Sequence, residues 1–159
     1  MITFNAINHA YPGEAEQALT DLSLEFGDST VTALVGPNGS GKTTLMQILA
    51  GLLPPSSGSV SINGTETGPN DLLGYSVMAS SDRDFDNSSA SALVAYASLR
   101  PTWDQQLFDH YAQRFGFQMK RRKTVRKMSS GQAAILTGAI ALASGAPITV
   151  LDEIQAPLD

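Results

Sequence analysis

The sequence predicts an α/β fold, with a core of parallel-type strands, an antiparallel β edge and a helical insert. Three observations carry that prediction. An apolar β-type run, Val31-Thr32-Ala33-Leu34-Val35, leads into a glycine-rich stretch, Gly36 to Thr44, which opens a helical pattern with Leu45, Ile48, Leu49 and Leu52 on one face. A second strand-type run, Ile148-Thr149-Val150-Leu151, ends in two acids, Asp152 and Glu153. Between these blocks the texture changes to polar loops and helical patterns, so that residues 1–78 and 129–159 read as core and 79–128 as insert.

The stretch Gly36-Pro37-Asn38-Gly39-Ser40-Gly41-Lys42-Thr43-Thr44 sits between a strand and a helix, the context that a phosphate-binding loop requires. Glycines let backbone N–H groups turn inward around phosphate oxygens where a Cβ would obstruct them. The helix N-terminus adds orphan donors and the positive end of its dipole. In that arrangement Lys42 places a point charge on the β/γ-phosphates and the Thr43 hydroxyl ligates Mg²⁺. A glycine-rich turn that matches by accident is the competing reading, and the flanking strand and helix weigh against it. The expectation is a nucleotide site in a P-loop NTPase core.

The edge elements follow in order. Ile2 to Asn8 reads as a strand and His9-Ala10-Tyr11-Pro12-Gly13 as a turn. Leu22, Leu24 and Phe26 alternate with Ser23 and Glu25, the period of a half-buried strand. Pro54-Pro55-Ser56-Ser57-Gly58 breaks the first helix, and Ser59-Val60-Ser61-Ile62 before Asn63-Gly64 predicts a short strand with a hairpin turn. Leu73 to Met78 is a further strand candidate. The insert carries helical patterns at Ala90 to Leu99 and Trp103 to Phe115, the second capped by Thr102 or Asp104. Ser129 or Ser130 is a natural N-cap for a helix through Ala143, and Gly145-Ala146-Pro147 ends it.

The last run is read as a buried strand that delivers Asp152 and Glu153 to its C-terminal edge, where ligands bind in open α/β sheets. Asp152 then holds Mg²⁺, directly or through water, and Glu153 polarises the attacking water. Alone, two acids at a strand end are more simply a solvated edge; beside a phosphate loop they complete a Mg-nucleotide site.

Composition narrows the class. The chain has 159 residues, 42% hydrophobic and 16% charged, with no cysteine, which excludes disulfides and thiolate metal sites. The start, Met1-Ile2-Thr3-Phe4-Asn5, carries neither a charged leader nor an apolar signal core, and no uncharged stretch is continuous enough for a membrane span, so a cytoplasmic protein is expected. Net charge is −5, yet six of the ten basic residues cluster as Lys120, Arg121, Arg122, Lys123, Arg126 and Lys127. Without interleaved aromatic residues, and on an otherwise acidic chain, that cluster argues against nucleic acid and for a solvated helix end or loop.

With these residues in view the chain resembles, over its full length, the ATP-binding cassette of ABC transporters, of the single-cassette exporter kind. The resemblance rests on the phosphate loop, on Ala18-Leu19-Thr20-Asp21-Leu22-Ser23-Leu24 before it, on Ala50-Gly51-Leu52 with Pro55-Ser56-Ser57-Gly58 after it, and on Met128-Ser129-Ser130-Gly131-Gln132, similar to the family's Leu-Ser-Gly-Gly-Gln. It implies an ABC-type P-loop fold and an ATPase that uses ATP and Mg²⁺. It implies that Tyr11 stacks on adenine. Ser129 and Gly131 would reach the γ-phosphate of ATP bound by a second cassette, in a homodimer or a heterodimer. It further implies membrane-spanning partner subunits, with the cassette peripheral on the inner face of the membrane.

The sequence also departs from the family. Met128 and Ser130 replace a leucine and a glycine of the signature, Met78 or Ala79 stands where a glutamine is expected, and neither His9 nor His110 lies where a switch histidine would. Those departures support an alternative reading as a non-hydrolysing regulatory or degenerate ATP-binding cassette. The resemblance places one more strand after Asp159, so the chain is expected to be an incomplete cassette, truncated after the Asp152 strand, with ATPase activity belonging to the complete protein.

Overall fold

The computed structural model describes residues 1–80, 87–117 and 124–152. The chain divides into two compact units, Met1–Ser76 and Val77–Asp159.

In the first unit, β1 (Ile2–His9) pairs antiparallel with β2 (Leu19–Phe26) on one side and with β3 (Ser57–Ile62) on the other. β3 turns into β4 (Thr65–Thr67), giving the order β2-β1-β3-β4. The β3–β4 turn uses Asn63 and Gly64 at positive φ (52° and 78°), as the Asn-Gly pair predicts, because only such residues follow the strand twist through a two-residue turn. The β1–β2 register shifts twice, between Phe4 and Ile7 and between Ile7 and His9; at the first, Ala6 sits at φ 48°, its N–H donating to Ser23 Oγ at 2.9 Å. Asn8 ties the irregular stretches together, its Nδ2 donating to the Ala6 carbonyl (3.0 Å) and its Oδ1 accepting from Asp21 N–H (2.9 Å). Opposite the first shift, Gly58 (φ 88°) leaves room for the carbonyls of Asn5 and Ala6, which a Cβ would strike.

Helix α1 (Lys42–Leu49) lays Leu45 and Ile48 into a core with Phe4, Ile7, Leu19 and Val60. The same core receives Leu72 from α2 (Pro69–Tyr75). That helix corrects the strand expected from Leu73: Gly68 is its N-cap, Pro69 opens it with φ preset, and the Asp71 carboxylate accepts from Gly68 N–H at 3.1 Å. The strand β5 (Ser76–Ser80) begins only after it.

A second correction concerns Val31–Val35. These residues form no regular structure, and Val31 and Val35 are fully exposed, with only Leu34 packed against the core. Their β-branched composition suits a buried strand. A strand exists only where neighbours satisfy its N–H and C=O groups, however, and among the described residues none pairs with it.

The second unit holds α3 (Ala90–Ala97), α4 (Gln105–Arg114), a 3-10 turn (Val125–Lys127), α5 (Ser130–Ala143) and β6 (Ile148–Asp152), the last paired with β5. Ala90, Val94, Phe108, Val125, Met128, Leu136, Ala139 and Ala143 form its core. Asp104 caps α4, its Oδ1 accepting from Leu107 N–H at 2.9 Å. The last carbonyls of α5 are met by the loop before α4: Asp104 N–H donates to Ala143 O (2.8 Å) and Thr102 Oγ1 to Ser144 O (2.6 Å). β6 differs from the fully buried strand expected of its sequence. Val150 and Asp152 are buried whereas Thr149 and Leu151 are exposed, as befits a strand covered on one face of a two-stranded sheet.

Candidate nucleotide site

The loop before α1 has the backbone that its glycines foretell. Gly39 and Gly41 lie at φ 82° and 83°, and Gly41 is the residue that enters the helix. Two constraints fall on Gly41 together. Its left-handed φ disfavours any Cβ, and a Cβ there would stand 2.5 Å from the Ala18 carbonyl and 2.7 Å from Leu19 Cδ2. The loop is therefore seated directly on the start of β2. Gly36 is limited by its own loop, since a Cβ would meet Ser40 Oγ at 2.9 Å.

Lys42 folds its ammonium back over the loop, donating to the carbonyls of Gly36 and Pro37, each at 2.9 Å. A positive charge is thus held across the loop mouth beside the amino end of α1, where the helix dipole also favours an anion. Gly36, Pro37, Asn38, Gly39, Ser40 and Thr43 are exposed. Thr44 is buried.

Tyr11 meets this loop from the end of β1. Its hydroxyl lies 3.1 Å from Thr44 Oγ1 and donates to Gln47 Oε1 at 3.4 Å, while the His9 ring packs edge-on against it, centroids 4.9 Å apart. Tyr11 and the loop, separated in sequence, are neighbours in the first unit. Gln47 was not anticipated from the sequence. Its signal is the spacing from Thr44, three residues along one helix, which puts both on the same face.

Ser129, Gly131 and Asp152 lie in the second unit. Ser129 is exposed and is the N-cap of α5: its Oγ accepts from Gln132 N–H (3.2 Å), and Gln132 Oε1 accepts from Ser129 N–H (3.4 Å), a reciprocal capping box. Accepting that bond leaves the hydroxyl proton of Ser129 available to a ligand. Asp152 is buried at the end of β6. Glu153 and the basic residues Lys120 to Lys123 lie outside the described residues; Arg126 and Lys127 are exposed on the 3-10 turn. Hydroxyl and carboxylate oxygens, the groups that Thr43 carries in the first unit and Asp152 in the second, are of the chemical type that Mg²⁺ selects.

A glycine loop with two left-handed residues, closed by a lysine and opening a helix, defines an α/β P-loop domain of the nucleotide-binding kind. The family model described as ABC transporter matches residues 19–156, and the chain belongs to that family. It is 33% identical over 160 residues to the Escherichia coli (strain K12) protein named Probable multidrug ABC transporter ATP-binding protein YbhF, covering 96% of this chain and 28% of that protein. The chain thus spans little more than a quarter of that relative. Among solved structures, a bacterial Atm1-family ABC exporter with ATP bound superposes with a TM-score of 0.82 at 23% identity, over 99% of this chain and 30% of the other. The ATP-binding cassette MJ0796, in a dimeric post-hydrolysis state bound to ADP and Pi, superposes with a TM-score of 0.76 at 20% identity, over 100% of this chain and 76% of the other. Both share its fold. Among the described residues no helix is long and apolar enough to cross a membrane.

Proposed function

We propose that this chain is the ATP-binding part of an ABC transporter's nucleotide-binding subunit, whose hydrolysis of ATP drives transport through separate membrane-spanning subunits. The observation that carries the reading is the loop itself: Gly39 and Gly41 in left-handed conformation, with the Lys42 ammonium held over the carbonyls of Gly36 and Pro37. In this reading Gly36 to Thr44 hold the phosphates through backbone N–H groups and Lys42, and Tyr11 stacks on adenine. Thr43 and Asp152 would hold Mg²⁺, which would supply positive charge to offset that of the phosphates. Glu153 orients the attacking water and accepts its proton. Ser129 donates its free hydroxyl proton, and Gly131 gives close backbone access, to ATP on a second cassette, so that the working unit is a dimer peripheral to the inner face of the membrane.

A second reading, an ATP-binding cassette that regulates without hydrolysing, is favoured by one observation: β5 carries Met78 and Ala79 where the family's glutamine is expected. The phosphate loop serves both readings, so its test comes first. Lys42→Ala is expected to weaken Mg-ATP binding by about ten-fold or more, the worth of a charge-assisted bond to phosphate. Isothermal calorimetry measures it, and an unchanged affinity removes the loop from the site. Steady-state phosphate release then separates the two readings.

A further inference from the structure

The C-terminal end of α5 is held from outside the helix. The last carbonyls of a helix have no partner within it and must find one elsewhere. Ala141 O is closed locally, by Ser144 N–H (3.3 Å) and the buried Ser144 hydroxyl (2.7 Å). Two further carbonyls turn to the loop before α4: Ala143 O accepts from Asp104 N–H at 2.8 Å, and Ser144 O from the Thr102 hydroxyl at 2.6 Å. Asp104 also caps α4 through Leu107 N–H, so one residue ties the end of α5 to the start of α4. Gly145, at φ 62°, makes the approach possible, since a Cβ there would strike the Thr102 carbonyl.

The flank of α5 is smooth by comparison. Its buried residues are Ala134, Leu136, Gly138, Ala139, Ala141 and Ala143, and five of the six carry a methyl group or less. Side chains that short form shallow ridges, which resist sliding along the helix axis less than longer ones do. Hydrogen bonds at the helix end are directional and fix the axial position instead. At its other end, about 21 Å away for a helix of this length, stands the N-cap Ser129. A helix does not compress, so an axial shift at Ser144 arrives at Ser129.

We infer that Thr102 is a positioning residue for Ser129, resting on the role that the proposed function gives to Ser129. The Thr102 hydroxyl sets how far along its axis α5 delivers the Ser129 hydroxyl toward ATP held by a second cassette. It acts through the helix and not on the nucleotide.

Thr102→Val keeps the shape and removes the hydroxyl. In the full chain it is expected to leave Mg-ATP affinity unchanged by calorimetry. It should weaken ATP-dependent dimerisation by about ten-fold in light scattering, one weakened bond at each of two composite sites. Thr102→Ser restores the hydroxyl and should restore dimerisation. Gly145→Ala disturbs the same contact from the other partner and should weaken dimerisation likewise. Two controls separate positioning from a general loss of stability. Val94→Ala thins the same core from α3 and should lower the melting temperature at least as far without weakening dimerisation. Ser129→Gly removes the positioned hydroxyl while leaving the cap nearly as stable, and it should weaken dimerisation by itself. On that background Thr102→Val should weaken dimerisation no further. Additive losses with Ser129→Gly, or equal weakening by Val94→Ala, overturns the inference and leaves Thr102 as a structural clamp. A parent chain that does not dimerise with Mg-ATP, or a Ser129→Gly variant that dimerises as the parent does, overturns the reading of Ser129 and the role of Thr102 with it.

Discussion

Gly41 shows how much one residue position can be asked to do. It turns the chain at φ 83°, caps α1 and lies so near the Ala18 carbonyl, just before β2, that a Cβ would strike it. Gly39 has nearly the same φ of 82° but nothing within 4 Å of where a Cβ would lie. The pair separates backbone strain from collision. Gly39→Ala is expected to cost about 1–2 kcal/mol, the penalty of a left-handed alanine. Gly41→Ala carries the same penalty plus displacement of β2, and should lower the melting temperature clearly further. Matched melts by circular dichroism decide it, and equal shifts would mean that the loop is not seated on Ala18. His9 raises a different question at this scale. Its two ring nitrogens are buried and have no hydrogen-bond partner among the described residues, which costs about 1–3 kcal/mol for a buried polar group left unsatisfied. His9→Phe keeps an aromatic edge against Tyr11 without that penalty, so it should raise the melting temperature.

Among the elements, α5 carries two demands on one side chain. Ser129 closes the capping box that starts the helix, and under the proposed function it also faces ATP held by a second cassette. Aspartate caps a helix about as well as serine but brings a negative charge to an approaching phosphate. Ser129→Asp is therefore expected to keep the melting temperature within about 0.5 kcal/mol of stability and to abolish ATP-dependent dimerisation. Light scattering with and without Mg-ATP reports the second property and thermal melting the first. Loss of stability without loss of dimerisation would leave Ser129 as a cap alone. At its other end α5 is held by Thr102 and Asp104, and Gly145 (φ 62°) gives Thr102 the space to reach the Ser144 carbonyl.

For the molecule as a whole, the proposed hydrolysis depends on Glu153 and on two cassettes meeting. Glu153→Gln keeps a polar group of the same size but cannot take a proton from water. It should leave Mg-ATP affinity unchanged, slow phosphate release by about 10²–10⁴-fold and hold the ATP-bound dimer together. Turnover at the parental rate would favour another base. Parent and variant both lacking turnover would favour the regulatory reading instead. Neither outcome touches membership of the ABC transporter family, which rests on residues 19–156.

What the sequence determined by itself is local. The phosphate loop, the Asn63-Gly64 turn, the Asp104 and Ser129 caps and the ends of α5 each depend on groups within a few residues of one another, so their chemistry is written contiguously. Even the misread segment at Leu73 belongs here, because its helix start is legible in Gly68-Pro69-Asn70-Asp71 once Asp71 is taken as a cap partner. Only the tertiary structure decided the state of Val31–Val35 and the half-buried face of β6, because a strand's fate lies with its pairing partners and covering layers. It alone also joined Tyr11 to Thr44 and Gly41 to Ala18. Those contacts link positions far apart in the chain, and the folded β1, β2 and α1 bring them within bonding distance where no periodicity or spacing could announce them.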